Sequence, residues 1–309
     1  MIKISYKGGY TPKLFIDRLI VRIDLAPGEE GHEVFHELWP LFDDASCFSH
    51  EGQKTLKHVI GRKIVLNSIA KSKHYPYLQV RHAEKQVQHI SLTLHPRDMG
   101  LEGLEELNVF LGCFVEGGWG TFVDRAKVAG IEVSIDFEGV PFNSVHVMPD
   151  QAKTSTVYRS GKQLQTVYFG KTKSNQTVIY DRGAKRAEQG DEAKSGDCTR
   201  IERKLKPSKL NLKSLDQLPN PFSHVEFVAV PPVPPPAETK DYVWALFTDS
   251  VAQRGLDAAL KLLPTHKRSV YRKHLASHDA KWWLPSIIWK RWPGVLDDLK
   301  LTDSSPWHL

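Results

Sequence analysis

Residues 131–138, IEVSIDFE, alternate so regularly that they restrict the rest of the chain. In an extended strand Val133, Ile135 and Phe137 lie on one face, and Ser134, Asp136 and Glu138 on the other. A strand of that kind needs a sheet beside it and a core beneath its apolar face. The sequence offers partners. Residues 16–25, 61–69, 76–81, 88–95, 155–160, 163–169, 176–181, 199–205 and 224–230 also read as strands. Ser160-Gly161 marks a hairpin between two of them. Helices are expected at 31–42, interrupted by Pro40, and at 101–114, where Leu104, Leu107, Leu111 and Phe114 recur at helical spacing. The helix start is blurred by Gly103, and a sharp loop follows at Gly117-Gly118. A short helix fits the polar stretch between Arg182 and Arg200.

The strongest break in the chain is Pro231-Pro-Val-Pro-Pro-Pro236, a stiff extended segment. Helices are expected beyond it at 239–247, 251–263, 266–276 and 286–298. The expected organisation is a strand-rich region at 1–230, a proline-rich linker at 231–238 and a small helical region at 239–309. At 309 residues the chain has room for two domains, and one large domain fits the same length. Its 8 Trp, 9 Tyr and 13 Phe argue against global disorder. The three cysteines, Cys47, Cys113 and Cys198, are widely spaced, which disfavours a disulfide framework and a cysteine-built zinc site. A reducing compartment is the simplest setting. No apolar run reaches 18 residues, and the first residues do not read as a signal peptide.

Asp136 and Glu138 share their strand face, and Glu202 projects from a second amphipathic strand at 201–205. Carboxylates meeting across such strands offer hard oxygen ligands for Mg²⁺ or Mn²⁺. Isolated, the same residues are ordinary polar faces of half-buried strands, and a D-x-E pair occurs in nucleotidyltransferases as well as nucleases.

The formal charge of +6 is concentrated. Residues 159–209 hold 13 Lys and Arg against six Asp and Glu, an excess of seven. This basic section brackets Tyr168 and Tyr180, with Lys171, Lys173, Arg182, Lys185 and Arg186 close in sequence. It suits a phosphate-binding surface, and equally a solvated basic face. Tyr168 can act as a stacking platform for an unpaired base or as sheet packing. A tyrosine hydroxyl such as that of Tyr180 can attack phosphorus when cations or a metal stabilise its anion. Alternation puts Asp181 opposite Tyr180 unless the strand ends or bulges there.

Three segments in order, IEVSIDFE, TVYFGKTKSNQTVIYDRGAKRAEQ and TRIERKLK, resemble rolling-circle replication initiators of plasmids and filamentous phages, closest to the Rep_trans type. The resemblance covers residues 101–210 and extends weakly to LIVRIDL and the basic helical tail. It implies an α+β fold, a central antiparallel sheet flanked by helices, like the HUH nucleases but without their His-hydrophobe-His pair, plus a small helical C-terminal region. It implies a metal-dependent, site-specific DNA endonuclease and strand transferase. Such an enzyme nicks one strand at an origin, joins the 5′ phosphate through tyrosine, and frees a 3′-OH for rolling-circle synthesis. By this resemblance Tyr180 is the nucleophile, and Asp136 and Glu202 are ligands for Mg²⁺ or Mn²⁺, with Glu138 and Asp181 as further candidates. Tyr168, Lys171, Lys173, Arg182, Lys185, Arg186 and Lys204 are candidate DNA contacts.

The implied partners are single-stranded or hairpin DNA, flanking duplex origin DNA and a host helicase, without a membrane. The implied location is the cytoplasm of a bacterial host. Two positions depart from the pattern: Ser134 stands where many relatives carry Arg, and Arg182 where many carry Lys. His82, His89 and His95 read as surface or packing residues.

In the tail, Lys267, Arg268, Arg272, Lys273 and His274 either face a DNA backbone or decorate a docked helical pair. The tryptophans 282, 283, 289 and 292 read as packing. A non-catalytic DNA-binding replication or copy-control protein uses the same basic surface. A nucleotidyltransferase using Asp136 and Glu138 is a third reading.

Overall fold

The computed structural model describes residues 10–69, 74–148, 155–160, 163–170, 175–190, 196–207, 209–236 and 240–304. The chain has a mixed α+β fold in which antiparallel sheet is flanked by helices. It divides into two compact units, each woven from separate stretches of sequence. The first comprises Phe15–Val133, Leu205–Pro219 and Arg291–Leu309; the second comprises Met1–Leu14, Ser134–Lys204 and Asn220–Lys290.

The first unit takes most of β1 (Thr11–Asp24), then α1 (Glu29–Leu38), β2 (Phe48–Leu56), β3 (Val59–Ile64), β4 (Tyr77–Ala83), β5 (Gln86–Leu94), α2 (Pro96–Gly112), α3 (Gly118–Arg125) and the first part of β6 (Lys127–Glu138). Its strands run in the order β2-β3-β4-β5-β1-β6. Leu19, Val21 and Ile23 are fully buried, as alternation along β1 requires. The expected leucine stripe on α2 is also buried at Leu104, Leu107 and Leu111. The break in that helix falls at Gly100 (φ 64°), not at Gly103. Gly103 stays helical because the helix packs closely there: a Cβ at this position would lie 3.1 Å from Ile69 Cγ2.

The loop at Gly117-Gly118 has a local cause. Gly118 adopts φ 51°, and a Cβ there would sit 2.6 Å from Asn108 Oδ1. That buried carboxamide oxygen accepts the Trp119 backbone N–H at 2.7 Å, holding the start of α3. The polar strand β2 and the short helix α3 are not expected from pattern, whereas β3 overlaps the strand expected at 61–69. β2 carries His50, Glu51, Gln53 and Lys54 and has little alternation to detect.

The second unit continues β6 and adds β7 (His146–Val147), β8 (Ser155–Ser160), β9 (Gln163–Gly170), β10 (Gln176–Asp181), α4 (Arg182–Glu188), β11 (Cys198–Leu205), β12 (Phe227–Val228), α5 (Asp241–Arg254), α6 (Leu256–Leu262), α7 (Thr265–Ala276) and α8 (Pro285–Trp289). The last helix, α9 (Trp292–Asp297), returns to the first unit. In the second unit the strand order is β6-β11-β10-β9-β8, with a separate β12–β7 pair. The strand expected at 224–230 shrinks to two residues.

The proline run lies inside this second unit rather than between units. Pro231 and Pro235 are buried, and Val230, Pro231, Pro232 and Pro234 line a recess against Trp244 and Thr248 of α5. The helices beyond it share a core with the strands before it: Met148 and Val228 pack with Trp244, Phe247, Val251, Tyr271 and Leu275. Gly255, at φ 84°, separates α5 from α6. Among the described residues no helix is long and apolar enough to cross a membrane.

Candidate functional site

The alternation of β6 is realised on both faces. Phe137 is buried against Trp282 (ring centroids 4.9 Å) and Trp283 (5.8 Å), within an aromatic cluster that includes Phe222 and Phe227. Asp136 points to the other face and is also fully buried. Burying that carboxylate demands a charged partner. Arg200 of β11 supplies a two-pronged one, with Nε to Oδ1 at 2.5 Å and Nη2 to Oδ2 at 2.9 Å.

Strand register then determines what lies beside this pair. Tyr180 of β10 sits directly across from Arg200 on one side and Thr166 of β9 on the other. Val178 sits across from Glu202 and Tyr168, and Gln176 from Lys204 and Gly170. Directly opposed residues share a face. Tyr168, Tyr180, Arg200, Glu202 and Lys204 therefore project to the side that carries Asp136.

Asp181 falls on the opposite side. It ends the strand and accepts the Ala184 backbone N–H at 2.8 Å through Oδ1, capping α4. With Val167, Phe169 and Ile179 it also lines a cavity of about 350 Å³ against Val251 and Leu256. Asp181 therefore starts the helix that delivers the basic residues, and it does not join Asp136.

That seven-residue helix brings its basic residues back to the Asp136 face. Arg186 is buried and reaches Glu138 at 3.2 and 3.3 Å, and its Nη2 lies 3.7 Å from Asp136 Oδ2. Burial alone would raise the Glu138 carboxyl, but the hydrogen bonds and charge of Arg186 and the more distant Lys13 hold it below its ordinary value. Lys185 Nζ stands 4.8 Å from the centroid of the Tyr180 ring, and Arg200 Cζ 5.8 Å from it. The Tyr180 residue is 7% exposed.

Arg182 completes the cluster. Burial, then repulsion from Arg200, pulls its guanidinium below the usual arginine range, against the attraction of Tyr180 and Asp136. Its buried Nε finds no hydrogen-bond partner among the described residues. Among the described residues Arg182, Lys185 and Arg200 thus lie about Tyr180, and Arg186 joins the cluster through Asp136 and Glu138.

Two ligand-bearing groups lie each within one unit. Asp136, Glu138 and Cys198 have ligand atoms within 4.8 Å of one another, as do His74, His95 and Asp98. Such groups can hold a metal ion. Burial, then the neighbouring carboxylates, pushes the Cys198 thiol up to about 12. Glu202 pairs with Lys204 at 3.0 Å, and among the described residues no three-ligand group contains both it and Asp136. The Ser134 hydroxyl is fully buried with no hydrogen-bond partner among the described residues.

Of the expected DNA contacts, Lys171 and Lys173 lie outside the described residues. Tyr168 is half-buried on β9. On α7, Arg268 caps the end of α6 through the Leu263 and Lys261 carbonyls at 2.8 and 2.9 Å. Lys267 and Arg272 are half-buried and Lys273 is exposed, while Tyr271 and Leu275 anchor the helix in the core.

Sequence reasoning passed over Arg200 and Cys198. Counting the β11 strand from residue 201 hid the signal: starting at 198, the same alternation puts Cys198, Arg200, Glu202 and Lys204 on one side.

Burial pushes the imidazole of His146, beside the cavity, down to about 4 from an ordinary 6.5. A ring with a lowered folded-state pKa is protonated first in the unfolded chain as pH falls. Its contribution is therefore complete above about pH 6.5 and is lost toward pH 4, by about 1–3 kcal/mol for this residue, which keeps some surface. Urea unfolding of His146→Gln is expected to lose less stability across that window than the parent. An identical slope would remove this ring as the cause.

No protein-family model matches the chain, and no curated protein matches it.

Proposed function

We propose that the chain is a DNA strand-nicking and rejoining enzyme that initiates rolling-circle replication, with Tyr180 as its nucleophile. The observation that supports this reading is the excess of cations around Tyr180: Arg182, Lys185, Arg186 and Arg200 against Asp136 and Glu138. That environment favours a phosphate and a phenolate over their neutral alternatives. Arg182, with a buried unsatisfied Nε, is the group best suited to a non-bridging phosphate oxygen.

In the proposed step the phenolic oxygen of Tyr180 forms a bond to phosphorus and the P–O3′ bond breaks. The phenolic proton is lost to water, and the departing 3′ oxygen gains one to become the 3′-OH. The 5′ phosphate stays on the tyrosine, so attack by a later 3′-OH reverses the chemistry and rejoins strands.

The resemblance assigns Mg²⁺ or Mn²⁺ to this reaction, where such an ion would polarise the phosphate. The residues fit that ion poorly. Arg186 faces both Asp136 and Glu138, and the third nearby donor is a thiol held protonated. The steps above therefore rest on protein cations alone.

A second reading, a DNA-binding protein without nicking chemistry, draws on the burial of Tyr180 beneath α4. For catalysis Lys185 and its helix must lift from the ring, which binding of a phosphate backbone in place of those side-chain contacts would favour. The deciding assay incubates the protein with 3′-labelled single-stranded oligonucleotides of mixed sequence, with and without Mn²⁺, followed by denaturing electrophoresis. A label that co-migrates with protein is expected. Saturable DNA binding without any such adduct would establish the binding-only reading instead.

A further inference from the structure

We propose that His74, His95 and Asp98 of the first unit form a zinc site of two imidazoles and one carboxylate, with a fourth position filled by water. His74 is distant in sequence from His95 and Asp98, and strand register is what gathers them. The β4–β5 ladder pairs Tyr77 with Thr93, so the antiparallel register carried two residues further sets position 75 against His95. His74 is the next residue outward. Pro96 then begins α2, and Asp98 comes round in its first turn.

The contacts agree with this placement. The two imidazole rings stack with centroids 4.6 Å apart, and His74 Nδ1 meets Asp98 Oδ2 at 2.7 Å. Ligand atoms from all three residues lie within 4.8 Å of one another. A tetrahedral zinc shell with bonds of about 2.0–2.1 Å spaces its ligand atoms roughly 3.4 Å apart, so closure asks for side-chain adjustments on the order of 1 Å. His74 and Asp98 are exposed, which leaves room for that adjustment.

A surface His–Asp contact alone is commonplace. The third residue sets this group apart, because its chemistry is already arranged for a metal. His95 Nδ1 lies 2.9 Å from the Asp17 backbone carbonyl, which can only accept, so Nδ1 carries the proton. That fixes the tautomer in which Nε2 holds the lone pair, the outer-shell arrangement typical of metal-binding histidines. Nearby Arg97 stacks on the Phe15 ring at 4.1 Å. Two neutral imidazoles and one carboxylate suit Zn²⁺ far better than Mg²⁺, which takes oxygen ligands. The ion would tie the residue leading into β4 to the first turn of α2.

The test uses the full chain freed of metal with a chelator. Calorimetric titration with Zn²⁺, and Co²⁺ titration followed by visible absorption, are expected to report one equivalent bound at this site. Its cobalt spectrum should show d–d bands without a thiolate charge-transfer band. His74→Ala and Asp98→Asn, both at exposed positions, are each expected to weaken binding about 10- to 100-fold, whereas Cys198→Ser leaves it unchanged. Absence of saturable binding, or affinity unaltered in both variants, would overturn the site. Loss of binding in Cys198→Ser would overturn it too, by moving the ion to the Asp136 group.

Discussion

Replacing Arg200 with alanine is expected to destabilise the protein by about 3–5 kcal/mol, the range for stripping one partner from a buried ion pair. Asp136 has no exposed surface, and Arg200 donates two hydrogen bonds to it. The variant leaves a carboxylate in the interior with Arg186, 3.7 Å from one oxygen, and the charge of nearby Arg182 to offset it. That residual contact argues for the lower half of the range. The loss also removes a cation that lies against the Tyr180 ring. Equilibrium urea unfolding gives the measurement. The companion variant Arg200→Met with Asp136→Leu removes both charges and is expected to recover much of the loss, since buried pairs are often replaceable by apolar residues. A loss below about 1 kcal/mol in Arg200→Ala would mean that Asp136 finds another partner.

The second large effect concerns chemistry rather than stability. Tyr180→Phe is expected to lower covalent attachment to DNA by on the order of 10⁴-fold or more, as expected when a nucleophile is deleted. The phenyl ring keeps its place beside Lys185 and Arg200, so fold and DNA affinity should hardly change. This separation of attachment from binding is the signature of a nucleophile. Tyr168→Phe serves as the comparison, because Tyr168 lies on the same face one strand away. An adduct that persists in Tyr180→Phe would sink the assignment, and its disappearance in Tyr168→Phe would pass the role to that residue.

The strands were largely legible because alternation is a local signal. Period-2 patterning located β1, β4, β5, β6, β9, β10 and β11, and the leucine spacing located most of α2. What pattern could not give was register. Tyr180, Arg200 and Asp136 come from three strands, and only the pairing of β10 with β11 and the Arg200–Asp136 contact reveal that they form one row. The partner of Asp136 was hidden for the same reason. A carboxylate on a strand reads as a metal ligand from pattern alone, and the structure adds that Asp136 is paired with an arginine. Asp181 illustrates a different limit. Its neighbour Tyr180 suggested a shared role, but strand alternation and the start of α4 turned it into a helix cap. The helical tail misled through composition, since a run of prolines looks like a boundary. Burial of Pro231 and Pro235, and the core shared by Met148, Val228, Trp244 and Tyr271, make it an internal strap.

That strap has a practical consequence for anyone dividing the gene. Expression fragments are commonly cut at proline-rich stretches, and residue 230 would be the natural choice here. Such a cut would leave Met148, Val228 and Phe137 facing water on one fragment, while Trp244, Tyr271 and Trp282 would be bare on the other. Neither piece would carry a finished interior. The stretch from the prolines to Lys290 belongs to the same unit as Ser134–Lys204, and it has to be kept with it.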